Sequence, residues 1–326
     1  MKKYAKILIM LLLLLLLASC GAQPGEPAES SEPADAAEAG EWAPVVITDD
    51  LGREVTLEAP PQRVAVLMAS FAETWLLAGG ELIAAPKDAW EDFDLDLPED
   101  VTDLGSYMKI STEALFDLEP DLIIASANTK SQVEMKDTLE NAKVDVLYFA
   151  VNGFEDYLRM LKTCTDLTGR PDLYEENGLR IESQVEQAKA AAAAALTGRE
   201  APRVLLIRTA ASGVHVKGSD DTVLGLMLRD LGCVNVADGS ELLEDLSMEK
   251  IIEEDPDMIF IVIQGSDEEG AKKTLEDALL GNPAWSGLTA VEEGRLYWMD
   301  KKLYHLKPND RWGIAYAELE KLLYEE

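Results

Sequence analysis

The chain has 326 residues, a formal net charge of −33 at pH 7 and 47% hydrophobic residues. This acidity argues against nucleic-acid binding, which needs a basic face, and against attraction to anionic lipid by charge. About 284 residues follow an N-terminal stretch that does not resemble a folded domain, and this length predicts two domains rather than one.

The first twenty residues have the pattern of an export signal. Lys2, Lys3 and Lys6 precede eleven consecutive apolar residues, 7–17. That run is too short for a membrane-spanning helix of about 20 residues, and it fits the apolar region of a signal peptide. The following LASCG is similar to a bacterial lipobox, so we predict that Cys20 is lipidated and that the protein is extracytoplasmic and anchored to the cell membrane, as in Gram-positive bacteria. An ordinary signal peptide is the alternative.

Residues 21–42 are mostly Ala, Pro, Glu, Ser and Gly without apolar periodicity, which predicts a disordered tether. Besides Cys20 the chain has only Cys164 and Cys233. A disulfide between them and two buried free thiols both remain open. The absence of a CxxC motif or a Cys/His cluster argues against a structural zinc site.

The first predicted domain begins with alternating strand and helix patterns. Residues 63–68 (RVAVLM) predict a strand, and residues 71–78 predict a helix closed by Gly79 and Gly80. The same order recurs later, with a strand over 203–208 (RVLLIR) and a helix near 222–231. Strands that alternate with helices predict βαβ units and parallel sheets.

One helix–strand pattern occurs twice in the chain. STEALFDLEPDLII begins at Ser111, and SMEKIIEEDPDMIF begins 136 residues later at Ser247. In each copy a proline, Pro120 or Pro256, ends the helix and a buried strand follows. The repeat predicts two similar α/β lobes, one over about 43–150 and one over about 200–326.

A long helix is predicted between the lobes, in the helical segment 151–199. Pro171 suits a first helical turn, the alanines of 190–195 favour helix, and Gly198 is a candidate C-cap. About 27 residues would span roughly 40 Å. We predict a spine joining the lobes, with a long surface helix of one lobe as the alternative. The expected fold class is therefore α/β, with two parallel-sheet lobes, one spine helix and a ligand cleft between the lobes.

Four segments together resemble the helical-backbone class of ABC-transporter substrate-binding proteins. They are ITDDLGREVTLEAPPQRVAVL, ISTEALFDLEPDLII, NPAWSGLTAVEEGRLYWMD and LYHLKPNDRWGIAYAELEKLLY, in this order. The resemblance implies a monomeric, non-enzymatic protein without a cofactor, which binds a siderophore, heme or cobalamin. It also implies an ABC permease and its ATPase subunits as partners. An iron complex, heme or ferric siderophore, is the leading expectation, and a corrinoid is the alternative.

The resemblance is strongest to heme and iron-complex receptors. In the heme receptors a methionine and a histidine, one from each lobe, bind the iron. Met108 matches the methionine, but Gln264 stands where the histidine is expected. A carboxamide is a poor iron ligand, so heme ligation is not secured and no other direct metal ligand is predicted.

Candidate ligand-binding residues are those in loops at the carboxyl ends of strands, where ligands bind in open α/β sheets. They are Ser70, Phe71, Trp90, Tyr107, Met108, Ser126, Asn128, Arg208, Ser212, His215, Gln264, Tyr304 and His305. Each also has a structural alternative, such as lobe capping for Trp90 or a satisfied histidine in a strand for His215. Arg311 and Trp312 are predicted to be structural.

The resemblance also implies one acidic residue on each lobe that docks to the permease. Glu113 matches in the first lobe, where stabilisation of a helix dipole is its structural alternative. Asp230 is the candidate in the second, although Arg229 stands nearer the expected position.

Other functions have less support from the sequence. Two histidines in the mature chain are too few for a zinc or manganese receptor. GxSxG, P-loop and GxGxxG motifs are absent, which argues against the corresponding enzymes.

Overall fold

The computed structural model describes residues 42–243 and 247–325. The predicted signal peptide, the predicted lipidation site at Cys20 and nearly all of the predicted tether lie outside these residues. The strands are β1 (Val45–Thr48), β2 (Glu54–Leu57), β3 (Val64–Val66), β4 (Ala84–Ala85), β5 (Thr102–Asp103), β6 (Leu122–Ser126), β7 (Asp145–Phe149), β8 (Arg203–Ala210), β9 (Gly213–Lys217), β10 (Val234–Asn235), β11 (Met258–Ile263) and β12 (Leu296–Trp298).

The α-helices are α1 (Ala69–Leu77), α2 (Asp88–Glu91), α3 (Thr112–Asp117), α4 (Lys130–Glu134), α5 (Lys136–Asn141), α6 (Phe154–Thr168), α7 (Pro171–Tyr174), α8 (Arg180–Ala195), α9 (Val223–Asp230), α10 (Met248–Glu254), α11 (Glu268–Leu275), α12 (Thr289–Glu292), α13 (Lys301–Tyr304) and α14 (Trp312–Tyr324). Short π-helical segments continue α7 over Glu175–Leu179 and α11 over Glu276–Leu280.

Two parallel sheets form the two lobes. The first has the order β5-β4-β3-β6-β7, and the second has the order β10-β8-β11-β12. Strand β9 adds an antiparallel edge to β8, and β1 and β2 form a separate antiparallel pair. Strands β6 and β11 are almost wholly buried because helices cover both faces of a parallel sheet. The predicted α/β fold class is confirmed.

Matching residues of the two repeated segments make the same contacts in each lobe. The hydroxyls of Ser111 and Ser247 cap α3 and α10. Asp121 accepts hydrogen bonds from the backbone at the start of β3, and Asp257 accepts one at the start of β8. Each aspartate therefore fastens the repeated strand to its neighbour.

Arginine side chains reinforce the same junction in both copies. Arg63 donates to the carbonyl of Leu118, and Arg203 donates to the carbonyl of Glu254, so each satisfies a carbonyl at the end of the repeat helix. These arginines lie outside the two repeated segments, and each fixes the end of a repeat helix to the neighbouring parallel strand.

The long predicted helix is present but shorter and less regular than expected. Helical structure runs from Pro171 to Ala195, interrupted by the π-helical turn, and ends before Gly198, which has a φ of +76°. The helix therefore ends before the predicted limit at residue 199. Helix α8 packs along α14, and Gly313 lets Gln184 approach, because a Cβ there would lie 2.1 Å from the Gln184 side chain.

The main hydrophobic core is continuous across the two sheets, and residues 42–326 form one compact unit. It includes Ile124 and Leu147 of the first sheet, and Leu206 and Phe260 of the second. The lobe boundaries at 150 and 200 stay predictions. Within the part of the chain that the structure describes, no helix is both long and apolar enough to cross a membrane. Cys164 and Cys233 are buried free thiols, and burial raises the pKa of both.

Candidate functional site

A cleft between the two lobes contains two adjoining cavities of about 360 and 230 Å³, which share His305 and Lys307. Its walls come from loops and helix ends that follow the strands of both sheets. Ser70 follows β3, Asn128 follows β6 and Gln264 follows β11. Parallel strands of one sheet end at a common edge, and the structure brings two such edges together.

Several predicted binding residues line these cavities, and several do not. Ser70, Tyr107 and Gln264 line the larger cavity, Asn128 and Arg208 line the smaller one, and His305 lines both. The structure thus juxtaposes residues from six separate parts of the chain. Their role in binding remains a proposal.

Two predicted contacts face the core instead. Phe71 is 2% exposed and packs edge-on against Phe149. Tyr304 is 4% exposed, and its hydroxyl donates to the carbonyl of Ala315. The expectation that these two aromatic rings line the cleft is corrected, because the helices that carry them turn their apolar side chains inward.

Ser126 is also buried and acts on the cleft only through its neighbour. Its backbone N–H donates to the carboxamide of Gln132, and its hydroxyl accepts from the N–H of Asn128. The side-chain amide of Asn128 in turn donates to Asn152. Ser126 therefore shapes the loop after β6 and is not itself a cleft surface.

The remaining predicted contacts line neither cavity. Met108 is 60% exposed, and Trp90 packs partly buried against the main core. Ser212 and His215 are exposed on the turn and edge strand beyond β8. Met108 as a ligand of heme iron stays a prediction, whereas Gln264, which replaces the expected histidine, lines the larger cavity.

The second lobe supplies a cluster of basic groups. Lys301 lies 2.6 Å from the carboxylate of Asp92 in an ion pair across the cleft. Lys307 and Arg208 have no carboxylate partner among the described residues, and Nε of Arg208 is buried without a hydrogen bond. Burial, and to a smaller extent the charge of Arg208, lowers the pKa of nearby Lys217.

His305 lies within this basic cluster. Burial, followed by Arg208, Lys301 and Lys307, lowers its pKa to about 4, while Asp92 acts weakly in the opposite direction. Burial alone lowers the pKa of Lys307. At neutral pH the imidazole is therefore uncharged, and burial disfavours the charged form of Lys307 as well.

The first lobe contributes an acidic wall. Burial, reinforced by Asp92, raises the pKa of Asp88 to about 6, and Oδ1 of Asp88 is buried without a hydrogen-bond partner. Tyr107 lies on the same wall, where burial raises its pKa. Met68, whose sulfur accepts a hydrogen bond from Thr129, completes this side.

Replacing Asp88 by Asn is expected to stabilise the protein at pH 7. The folded-state pKa is above the unfolded value, so the stability contributed by this carboxyl is present below about 3.8 and is lost as the pH rises through about 6. The shift in pKa corresponds to an increase of up to about 3 kcal/mol in the free energy of unfolding. About 0.3–1 kcal/mol of this is lost again, because Asn does not supply the negative charge that favours the first turn of α2. Urea unfolding between pH 4 and 8 measures it.

The exposed Asp96 provides the matched control, since Asp96→Asn should change the free energy of unfolding by no more than about 0.5 kcal/mol. If the difference in free energy of unfolding between Asp88→Asn and the unmodified protein does not grow between pH 4 and 7, the pKa of this carboxyl is not raised by folding.

Sequence reasoning missed Met68, Asp88, Asp92, Lys301 and Lys307 as cleft residues. A usable signal existed for the lysines, because KKLYHLK at residues 301–307 is strongly basic in a chain of net charge −33. No comparable signal marked Asp88 among 62 acidic residues.

The predicted docking residues differ in their surroundings. Glu113 is exposed in the first turn of α3. Asp230 accepts a hydrogen bond of 2.6 Å from the hydroxyl of Tyr316, which gives it a structural role. Arg229 pairs with Asp220. Among the described residues no cluster of three or more His, Cys, Asp or Glu side chains is arranged to hold a metal ion.

Comparisons with known proteins agree with this architecture. The chain is 26% identical over 261 residues to the Fe(3+)-citrate-binding protein YfmC of Bacillus subtilis, covering 78% of each chain. A periplasmic heme binding protein from Pseudomonas aeruginosa superposes with a TM-score of 0.65 and 26% identity, over 81% of this chain and 93% of that one. Staphylococcus aureus SirA, solved with staphyloferrin B, gives a TM-score of 0.67 at 20% identity, over 86% and 97%.

The family model described as periplasmic binding protein matches residues 64–303. That range includes both sheets and most of the residues that line the cleft. Members of this family are substrate-binding proteins of transporters and are not enzymes, and they carry no resident cofactor. The chain belongs to the periplasmic binding protein family.

Proposed function

We propose that this protein captures an iron complex outside the cytoplasm and delivers it to the permease of an ABC importer. The cleft carries the proposal, since side chains from both lobes converge on it. The relatives support iron as the cargo, because YfmC is named for ferric citrate and the structural relatives are described as a heme binding protein and as a complex with staphyloferrin B.

The proposed route to the membrane uses the N-terminus. Acylation of Cys20 would hold the protein at the outer face of the cell membrane, with residues 21–42 as a tether. Glu113 is the proposed permease contact of the first lobe, because it is exposed on a capped helix end. The ATPase subunits would act through the permease.

Heme and a ferric chelate are the two cargo classes to separate. Met68 and His305 line the same cavity from opposite lobes, and sulfur and imidazole are both iron ligands. This pair favours testing heme, although Gln264 is the residue after β11. No feature of the described cleft favours a corrinoid.

The test is titration of the full-length protein with ferric citrate, a neutral ferric trihydroxamate and hemin. Tryptophan fluorescence and visible absorption report binding, and iron-free citrate is the control. We expect at least one iron complex to saturate at one equivalent. A shifted hemin absorption band that Met68→Leu alters would identify heme as the cargo. Failure of every iron complex to bind would refute the proposed function.

A further inference from the structure

Charged side chains join the two lobes along one side of the larger cavity. Nζ of Lys301 lies 2.6 Å from Oδ1 of Asp92, and Lys302 pairs with Asp94. The two lysines begin α13 in the second lobe, whereas the two aspartates lie just after α2 in the first. Two consecutive lysines therefore contact one acidic segment of the opposite lobe.

These ion pairs lie at the rim of the cavity. Lys301 and Asp92 both line the cavity of about 360 Å³, yet their side chains are 24% and 33% exposed. The outer pair is more accessible to water, with Lys302 43% and Asp94 71% exposed, and neither of these residues lines either cleft cavity. The contact thus extends from the cavity wall to the solvent.

The local conformation of each lobe positions its own side of the contact. The carboxylate of Asp300 caps α13 by accepting a hydrogen bond from the N–H of Leu303. Lys301 also donates to the carbonyl of Gly265 in its own lobe. On the opposite side Asp94 has a φ of +52°, in the left-handed region that aspartate tolerates better than most residues.

The wider charge pattern favours the same contact. Residues 88–96 (DAWEDFDLD) carry five acidic side chains and no basic one, and residues 301–307 (KKLYHLK) carry three lysines and no acidic side chain. Like charges repel within each segment, and the opposite segment supplies the counter-charge. Electrostatic attraction between the segments therefore favours the arrangement in which the lobes touch at the rim.

The next contact along the chain is of a different kind. Arg311 pairs with Glu73, which is only 7% exposed on α1. Separating a buried pair leaves an uncompensated desolvated charge, whereas exposed pairs are individually weak and are screened by salt. The segment after α13 is therefore firmly fixed to the first lobe, while the contact at the rim can open.

We propose that Lys301 and Lys302, together with Asp92 and Asp94, form an electrostatic latch that holds the lobes together at the rim of the larger cavity and opens reversibly to admit and release cargo. The latch goes beyond the proposed function, because it does not depend on which iron complex is bound. Raising the ionic strength favours opening, since the Debye length falls from about 10 Å at 0.1 M to about 3 Å at 1 M.

Hydrogen exchange of the full-length protein, measured by mass spectrometry without cargo, tests the latch. The outer pair is the one to change, because it does not line the cavities. Lys302→Met should accelerate exchange across residues 88–96 in the opposite lobe, and Asp94→Asn should accelerate it across residues 301–306, each by about 2- to 5-fold. Lys302→Arg should keep the exchange rates of the unmodified protein.

Both segments contain amides whose hydrogen bonds report opening. The N–H of Leu95 donates to the carbonyl of Ala89. The N–H groups of His305 and Leu306 donate to the carbonyl of Lys301. A change that crosses from one lobe to the other is the signature of a latch, since a purely local effect stays in the lobe that carries the substitution.

The matched controls break ion pairs that lie within one lobe. Lys87→Met removes the pair with Glu91 on α2. Lys273→Met removes the pair that α11 makes with Asp277. Any acceleration caused by these two variants should stay in the lobe that carries the substitution.

Salt provides an independent measurement. In 1 M NaCl the unmodified protein should exchange faster in both segments than in 0.1 M NaCl. The double variant Asp94→Asn/Lys302→Met should respond less, because one of its two ion pairs is already absent.

The outcomes are distinct. Acceleration that appears in the opposite lobe in both single variants, and that salt reproduces in the unmodified protein, supports the latch. Acceleration confined to the substituted lobe, or no response to salt, overturns it. Failure of every iron complex to bind refutes the proposed function without deciding the latch, because the exchange is measured without cargo.

Discussion

Arg311→Met is expected to destabilise the protein by about 3–5 kcal/mol, because it leaves a buried carboxylate without its counter-charge. Glu73 is 7% exposed on α1. Nη1 of Arg311 lies 3.0 Å from Glu73 Oε1, and Nη2 donates to Oε2 over 3.1 Å. Asn309 donates to the same carboxylate. These contacts attach the segment after the cleft loop to the first lobe.

The pH dependence gives this prediction a sharper form. Burial raises the pKa of Glu73 while Arg311 opposes the rise, so removing Arg311 should raise the pKa further. The contribution of a carboxyl with a raised pKa is lost as the pH increases through that pKa. The deficit of Arg311→Met should therefore be largest near pH 7 and should shrink as the solution is acidified. Urea unfolding at several pH values measures this.

The matched control is the double variant Glu73→Leu/Arg311→Met. Replacing both members of a buried pair by apolar side chains is close to neutral, so the double variant should recover most of the lost stability. If the single variant loses less than about 1 kcal/mol, the ion pair does not attach the two lobes in the way described.

Trp312→Ala is expected to lose about 3–5 kcal/mol of folding free energy. Trp312 is 0% exposed at the start of α14. Its ring centroid lies 5.8 Å from that of Phe154 on α6 and 6.2 Å from that of Tyr316. Truncation leaves a cavity where α14 meets α6, and chemical unfolding measures the loss.

Two further variants make this result specific. Nε1 of Trp312 is buried without a partner, so Trp312→Phe removes an unsatisfied donor along with part of the ring and should lose less than Trp312→Ala. Trp298 is 43% exposed on β12, and Trp298→Ala should lose no more than about 1 kcal/mol. Equal losses at the two tryptophans would contradict the assignment of Trp312 to the core.

Short sequence patterns were sufficient to predict several strands and helices. The buried strand predicted after Pro256 is β11, because the uninterrupted apolar run MIFIVI is typical of a strand buried on both faces of a sheet. Thr222 caps α9 with its own hydroxyl, and Ser111 and Ser247 cap the repeat helices. The helix predicted over 171–199 differs from the observed one, which a π-helical turn over Glu175–Leu179 interrupts and which ends at Ala195.

The residues that line the cleft could be predicted only in part from local sequence patterns. Six of the residues predicted to bind ligand line the cavities, and their role in binding stays a prediction: Ser70, Tyr107, Asn128, Arg208, Gln264 and His305. Proximity to a strand end could not decide which face of α1 or α13 turns inward. Phe71 and Tyr304 were therefore placed in the cleft although they belong to the core.

The sequence by itself determined the α/β class and the repeated helix–strand unit, because strand periodicity and proline stops act within about ten residues. The tertiary structure alone decided the character of the cleft. It brings Lys307 and Arg208 together at one cavity and places Asp88 on the wall of the adjoining cavity. Whether a charge is paired depends on distances between residues far apart in the chain, and only the packing of the lobes sets those distances.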